Sequence, residues 1–272
     1  MSLLSINRTT IFLAPTGAFS LVRPRFGAGR VKASFQQDSA AAPGSLTGPD
    51  FATLQAVLAE AGGAVEIVLS NHFVRYQLFP WQEGLQNLRE ELGFARFAFT
   101  QTYGSAVDQW HIALSDEAPG QPRIAAAIDA ALLEKLGEEV KKAGGELVSV
   151  STSLVSAVDY WRSSFDSHQP TWFLSYESGL LTLLLRDRKG WRWVRSRRVA
   201  EDGLAGWREI IADETLMLGE ELAGGRVLLF APGCKLPAGP AQGGLVLVPL
   251  ELGEMLAGLA LKDNRYAFAW VA

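Results

Sequence analysis

Short apolar runs separated by turn residues open the chain and predict three strands, one helix and a fourth strand. Phe51, Leu54 and Leu58 share one face of the predicted helix, which Asp50 can cap. The apolar run before Ser70 is typical of a strand buried on both faces. The predicted strands are residues 9–14, 18–23, 30–35 and 65–70.

The same order of elements returns in the second half of the chain. The second set of predicted strands is residues 172–176, 180–186, 191–199 and 227–230, with a helix over 204–222. The two helix-to-strand junctions are alike, Gly62-Gly63-Ala64-Val65 against Gly224-Gly225-Arg226-Val227. A β-β-β-α-β unit used twice predicts two related lobes that face each other.

The segment between the two units adds further elements to the first lobe. Residues 71–120 predict a small β-α-β subdomain inserted in that lobe, with strands at 73–79 and 109–115 and a helix over 82–103. Apolar residues at every fourth position then predict one long helix. They are Ile124, Ile128, Leu132, Leu136 and Val140. A strand at 147–150 and a helix over 154–165 follow.

These elements place the first lobe at residues 1–168 and a second, abbreviated lobe at 169–272. After its fourth strand the second lobe keeps a Pro/Gly loop, a strand at 245–248, a short helical turn and a final strand at 266–271.

The composition excludes several classes of protein. The 272 residues are 48% hydrophobic and 20% charged with a net charge of −4, which gives no overall attraction to nucleic acid or anionic lipid. The single cysteine, Cys234, excludes an intramolecular disulfide and fits a reducing compartment. The most apolar window, 245–261, contains Glu251 and Glu254, so we expect no membrane span and a cytoplasmic protein.

Residues with catalytic or metal-binding chemistry are scattered. His72, His111 and His168 lie in separate segments without ligand spacing, so we expect no metal site. Cys234 has no paired histidine that would make it a nucleophile. Phosphate-loop, dinucleotide and nucleophile-elbow motifs do not occur, and we expect no cofactor.

The doubled unit, with an insertion after the fourth strand of its first copy, resembles the actin-like ATPase superfamily. Within that superfamily, the order of elements and the stretch Val68-Leu69-Ser70-Asn71-His72-Phe73-Val74-Arg75-Tyr76 resemble PilM of type IV pilus assembly and the cytoplasmic region of type II secretion protein L (GspL). The resemblance implies an α/β protein with two RNase H-like lobes, mixed sheets and the small inserted subdomain.

The resemblance also implies an ATP site between the lobes, made by one β-hairpin turn from each lobe and a third loop. The corresponding residues here are Pro15, Thr16 and Gly17, then Glu177, Ser178 and Gly179, then Pro232 and Gly233. The first turn has no carboxylate and Pro15 has no N–H, while Glu177 stands where an Asp is expected. These departures predict a degenerate cleft that neither binds ATP tightly nor hydrolyses it, as in GspL-type proteins.

Two surfaces are candidates for partner binding. In PilM-like proteins the region beside the inserted subdomain receives a short segment of a membrane-anchored partner, and the candidate residues here are Asn71, Phe73, Arg75, Tyr76 and Trp81. The aromatic residues among them fit the core of the subdomain equally well. Arg195 and Arg197 belong to the second surface, a basic hairpin at 186–198 that suits a charged edge strand, an acidic protein partner or nucleic acid.

We therefore expect a non-catalytic scaffold or adaptor with protein partners, acting in the assembly of a type IV pilus or type II secretion-like machine. A membrane-anchored partner would bring it to the inner membrane. The alternative is an active ATPase or sugar-kinase-like phosphotransferase of the same superfamily, with Glu177 as its acid. Nucleic-acid binding through the basic hairpin is a third hypothesis, which the net negative charge disfavours.

Overall fold

A computed structural model describes residues 8–23, 32–37, 49, 51–61, 63–85, 87–165, 168–200, 203–219, 225–235, 244–259, 261 and 263–272. The strands are β1 (Arg8–Ala14), β2 (Gly17–Arg23), β3 (Lys32–Gln37), β4 (Ala64–Leu69), β5 (Val74–Phe79), β6 (Trp110–Leu114), β7 (Arg123–Asp129), β8 (Glu146–Thr152), β9 (Thr171–Glu177), β10 (Leu180–Asp187), β11 (Gly190–Arg198), β12 (Gly225–Phe230) and β13 (Leu245–Pro249). The α-helices are α1 (Phe51–Leu58), α2 (Leu88–Tyr103), α3 (Ala130–Lys142), α4 (Ser153–Tyr160), α5 (Trp207–Leu218), α6 (Gly253–Gly258) and α7 (Ala267–Trp270).

The first lobe is built on a five-stranded sheet with the order β3-β2-β1-β4-β8. Strands β3, β2 and β1 are antiparallel neighbours, whereas β4 and β8 run parallel to β1. In β4, Val65, Ile67, Val68 and Leu69 are all fully buried, because the strand lies inside a sheet covered on both faces.

The second lobe repeats that arrangement with the order β11-β10-β9-β12-β13. Its first three strands are again antiparallel and its last two again run parallel to the first. Side chains of β9 alternate between the two faces: Trp172 packs beneath α5, and Phe173 belongs to the core shared with the first lobe. The predicted mixed α/β fold with two like lobes is therefore confirmed.

The insertion has its own antiparallel sheet with the order β5-β7-β6, covered by α2 through Ala95 and Phe99. The predicted helix over 124–140 is wrong in its first part, because residues 123–129 form β7, the central strand of this sheet. Residues 124–128 are five consecutive small or branched apolar residues, which fit both the helical and the strand period. Burial on both sides of the segment favours the strand. Asp129 then caps α3 by accepting a hydrogen bond from the Ala131 N–H.

The final strand predicted at 266–271 is also wrong. A 3₁₀ turn at Asn264–Tyr266 leads into α7, because Asp263 caps the turn by accepting from the Arg265 N–H. Other bounds differ by a few residues: the third strand is 32–37, α2 begins at Leu88 behind its cap Asn87, α4 ends at Tyr160, and α5 ends at Leu218. Residues 30, 31, 86 and 220–222 of the predicted elements, and the predicted helix cap Asp50, lie outside the described residues.

The lobes share one hydrophobic core. Phe12 and Leu13 from the first lobe, Phe230 from the second and Phe268 from α7 are at most 3% exposed within it. In the part of the chain that the structure describes, no helix is both long and apolar enough to cross a membrane.

Candidate functional site between the lobes

Each lobe contains a tight hairpin turn between its first two strands. Ala14 pairs with Gly17, so Pro15 and Thr16 alone make the turn between β1 and β2. In the second lobe Glu177 pairs with Leu180, and Ser178 and Gly179 make the turn. Gly179 has φ +77°, a left-handed conformation that glycine adopts without a steric penalty.

The segment Ser70–Phe73 leaves the carboxyl end of β4 and lies against the second hairpin. The Ser70 N–H donates to the Leu13 carbonyl at 2.9 Å, which fixes the segment beside the first hairpin. The Ser70 hydroxyl caps the 3₁₀ turn at Asn71–Phe73 by accepting from the His72 N–H at 3.2 Å. The segment thus touches elements of both lobes.

The carboxylate of Glu177 crosses from the second lobe to the first. Its Oε1 accepts from the Asn71 N–H at 3.0 Å and from the Ser153 hydroxyl at 2.5 Å, and its Oε2 accepts from the Ser70 hydroxyl. Only 6% of Glu177 is exposed. Among the ion pairs of the described residues, none involves Glu177, so hydrogen bonds satisfy this carboxylate.

A second layer of hydrogen bonds holds Asn71 in place. Its Oδ1 accepts from the Tyr76 hydroxyl at 2.7 Å and from the Leu154 N–H at 3.2 Å, whereas its buried Nδ2 has no hydrogen-bond partner. Burial raises the pKa of Tyr76 well above its ordinary value, so the hydroxyl keeps the proton that it donates to Asn71. Asn71 and Tyr76 therefore belong to the interior.

The tip of the second hairpin contacts the first lobe as well. His72 Nε2 lies 3.0 Å from the Ser178 carbonyl oxygen, to which the Nε2–H tautomer donates. Ser178 is itself exposed, so this contact lies at the rim of the site and the Glu177 contacts lie beneath it.

The third predicted loop, after β12, borders a cavity of about 110 Å³ lined by Pro232, Gly233, Cys234, Leu252 and Asn264, among others. Ligand pockets are typically ~300–1,000 Å³, so this cavity is too small for a nucleotide. Burial raises the pKa of the Cys234 thiol despite the nearby charge of Arg265, which disfavours the nucleophilic thiolate. Within the described residues, no three potential metal ligands are grouped.

The other predicted partner-binding residues near the insertion, Phe73, Arg75 and Trp81, differ in how much of each side chain is exposed. Arg75 is exposed and Trp81 is half-buried, so both present atoms at the surface. Phe73 is half-buried and packs against the shared core. These residues do not converge with Asn71 and Tyr76 on one open groove.

Two arginines of the basic hairpin, Arg195 and Arg197, are paired with acidic residues of α5. Arg197 Nη1 lies 3.2 Å from Glu214 Oε1 and 3.5 Å from Asp213 Oδ2, and Arg195 Nη1 lies 3.4 Å from Glu214 Oε2. Trp193 Nε1 donates to the same Glu214 at 2.9 Å. This corresponds to the charged edge strand whose tryptophan packs on a helix.

Sequence reasoning did not identify Ser153 as a site residue, and it included Ser70 only within the stretch proposed for partner binding. A signal was present, because each serine follows the last residue of a parallel strand and the two strands are neighbours. Polar residues at the carboxyl ends of adjacent parallel strands often meet at a functional site.

No protein-family model matches the chain, and no curated protein matches it in sequence. Solved structures do match. A PilM–PilN complex of type IV pilus biogenesis has a TM-score of 0.64 at 12% identity, over 97% of this chain and 96% of that one. The cytoplasmic domain of EpsL, an inner-membrane component of the Vibrio cholerae type II secretion system, has a TM-score of 0.55 at 14% identity, over 96% and 98%.

A third similar structure is a Bacteroides thetaiotaomicron protein with an actin-like ATPase fold, with a TM-score of 0.55 at 11% identity over 95% of this chain and 88% of that one. The chain therefore has an actin-like ATPase fold that resembles PilM and the L protein of type II secretion over nearly its whole length.

Proposed function

We propose that this chain is a non-catalytic adaptor that works in a pilus- or secretion-type assembly without binding ATP. The observation that carries the proposal is the position of Glu177. Its carboxylate extends from the second hairpin, one of the turns that would hold a nucleotide, and accepts hydrogen bonds from three groups of the first lobe. A triphosphate between the turns would have to displace this buried acid and would be repelled by its charge.

The loops around Glu177 support the same conclusion. Pro15 offers no N–H to a phosphate at the first turn. Gly233 already has φ +79° and its α-carbon faces Arg265, whose Cγ would lie 2.9 Å from an added Cβ. The side chain of Arg265 thus occupies the space next to Gly233, which leaves less room for an adenosine at this part of the third loop.

The choice of partner class rests on fold similarity over nearly the full chain. One similar structure is a complex of PilM with PilN, and another is the cytoplasmic domain of an inner-membrane secretion component. We infer that this chain binds a membrane-anchored assembly protein and is held at the cytoplasmic face of the inner membrane by that protein. Arg75 and Trp81, which lie at the surface of the insertion, are the residues that we expect to contact it.

Calorimetric titration with ATP and Mg²⁺ tests the nucleotide part of the proposal. We expect no heat of binding up to millimolar ATP, and a dissociation constant in the micromolar range would overturn this part. The partner part is tested by titrating the purified chain with the cytoplasmic segments of the membrane-anchored pilus and secretion proteins of the same genome. Arg75→Glu should weaken the productive titration, whereas Arg162→Glu, at an exposed arginine on the first lobe, is the matched control.

An ATP-dependent enzyme is the second candidate function, and one observation favours it. Glu177 is an acid at the position where the superfamily carries a catalytic Asp, and opening of the lobes would expose it. Turnover of ATP, with or without a sugar acceptor, that is abolished by Glu177→Gln would support the enzyme and contradict the adaptor.

A further inference from the structure

Three hydrogen-bond donors of the first lobe are directed at the same carboxylate. The Ser70 hydroxyl, the Asn71 N–H and the Ser153 hydroxyl all donate to the carboxylate of Glu177. The parallel pairing of β4 and β8 creates the cluster, because their last residues Leu69 and Thr152 are paired and the residue after each strand is a serine. The donors are therefore held by the sheet itself.

The electrostatics of the cluster suit an anion. Ser70 is the N-cap of the 3₁₀ turn, and Ser153 is the first residue of α4, an eight-residue helix capped by Thr152. The N–H groups at the N-terminus of a helix carry partial positive charge, and in α4 the Leu154 and Val155 N–H groups donate to Asn71 Oδ1 and Thr152 Oγ1. A carboxylate or another small oxyanion, which only accepts hydrogen bonds, is the complementary ligand.

Neighbouring residues keep the donors aimed at this point. Asn71 receives hydrogen bonds from the Tyr76 hydroxyl and the Leu154 N–H, so its side chain is anchored and its backbone N–H is directed at Glu177. Only the backbone N–H of Asn71 reaches the carboxylate, since its buried Nδ2 has no hydrogen-bond partner. Ending a strand would not require three donors that are all held toward one carboxylate.

We propose that these residues form an oxyanion-binding site on the first lobe, and that Glu177 is its tethered ligand, which holds the two lobes closed where other members of the superfamily use a nucleotide. This inference rests on the adaptor function proposed above, because the contact of Glu177 with the first lobe would take the place of bound ATP. Because the ligand is part of the chain, its effective concentration is high and a free anion does not compete. Removal of the carboxylate leaves a site for a small free carboxylate.

Acetate binding by Glu177→Ala tests the proposal, because acetate replaces the atoms that the substitution removes. We expect the thermal midpoint of the variant to rise saturably with acetate, by about 3–5 °C near saturation, relative to chloride at the same ionic strength. Wild type should not respond, since Glu177 fills its site. Glu138→Ala, at an exposed carboxylate on α3, is the matched control and should not respond either. A folded Glu177→Ala variant without an acetate response would overturn the proposal.

A second variant covers the case in which Glu177→Ala does not fold. The double substitution Ser70→Ala/Ser153→Ala keeps the carboxylate and removes two of its donors. We expect hydrogen exchange of the Asn71 amide to accelerate by about tenfold or more. Ser151→Ala, on β8 two residues before Ser153 and bonded to Ser156, should leave that exchange rate unchanged. Equal exchange rates in the double variant and wild type would overturn the proposal.

The two proposals fail in different ways. Micromolar ATP binding by wild type would remove the adaptor function. The acetate titration and the Asn71 exchange rate report only whether the first lobe holds an anion through these donors.

Discussion

Phe268 of α7 stacks on Phe12 of β1, with ring centroids 4.4 Å apart and planes inclined by 22°. Phe230 of β12 meets Phe268 edge-on at 5.2 Å and 75°. The three rings connect the first-lobe sheet, α7 and the second-lobe sheet, and each is at most 3% exposed. Apolar packing therefore joins the lobes on one side, and the Glu177 hydrogen bonds join them on another.

Substitution of Phe268 should destabilise the whole protein. Phe268→Ala removes a buried ring and leaves a cavity between the lobes, so we expect the free energy of unfolding in urea to fall by about 3–5 kcal/mol. Phe97→Ala is the matched control, since 58% of Phe97 is exposed, and should cost less than about 1 kcal/mol. Equal losses in the two variants would show that the Phe12–Phe268 contact does not join the lobes.

Loss of the Glu214 carboxylate should loosen the edge of the second sheet. Glu214 is 1% exposed and accepts from Trp193, Arg195 and Arg197. We expect Glu214→Ala to lower the free energy of unfolding by about 1–3 kcal/mol, less than for a fully buried pair because both arginines are partly solvated. Glu209→Ala, exposed on the same helix, should be close to neutral, and an equal effect of both substitutions would contradict this assignment.

The Asp263–Arg265 pair predicts a specific dependence of stability on pH. Burial acts to raise the pKa of Asp263, but the hydrogen bonds and charge of Arg265 outweigh it and lower that pKa. A carboxyl with a lowered folded-state pKa stabilises above its unfolded value of about 4, and this stability is lost as pH falls through the folded value. Asp263→Asn should therefore reduce stability at pH 7 more than at pH 3.

Urea denaturation at the two pH values measures the difference. Asparagine can still cap the 3₁₀ turn at Asn264–Tyr266, so the comparison isolates the charge. Asp116→Asn, at an exposed site in the insertion, should follow wild type at both pH values. An Asp263→Asn variant whose loss is the same at pH 7 and pH 3 would rule out the ionic contribution.

Substitution by alanine should change the stability of the protein in opposite directions at two glycines. Gly233 has φ +79° and an added Cβ would approach Arg265 Cγ to 2.9 Å, so Gly233→Ala should destabilise by about 1–2 kcal/mol. Gly137 lies inside α3 with open space around its α-carbon, so Gly137→Ala should stabilise by about 0.5–1 kcal/mol. Thermal denaturation of both variants measures the signs, and a neutral Gly233→Ala would mean that the third loop is free to rearrange.

The sequence by itself determined the doubled order of elements and the turn residues of the two hairpins. These features follow from short-range patterns, namely alternating or continuous apolar runs and turn residues. It also located Glu177 at a turn and the loss of donors at Pro15. It could not distinguish a buried strand from a helix at residues 123–129, because both periods suit a short apolar run.

Only the tertiary structure decided what Glu177 does. Ser70 and Ser153 lie 107 and 24 residues away from it along the chain, and they meet because β4 and β8 are paired in one register while the second lobe packs against them. The structure likewise determined that Glu214 pairs with both Arg195 and Arg197, and that Tyr76 is interior. Such contacts depend on strand register and lobe packing, which are properties of the whole chain and are not encoded in any local pattern.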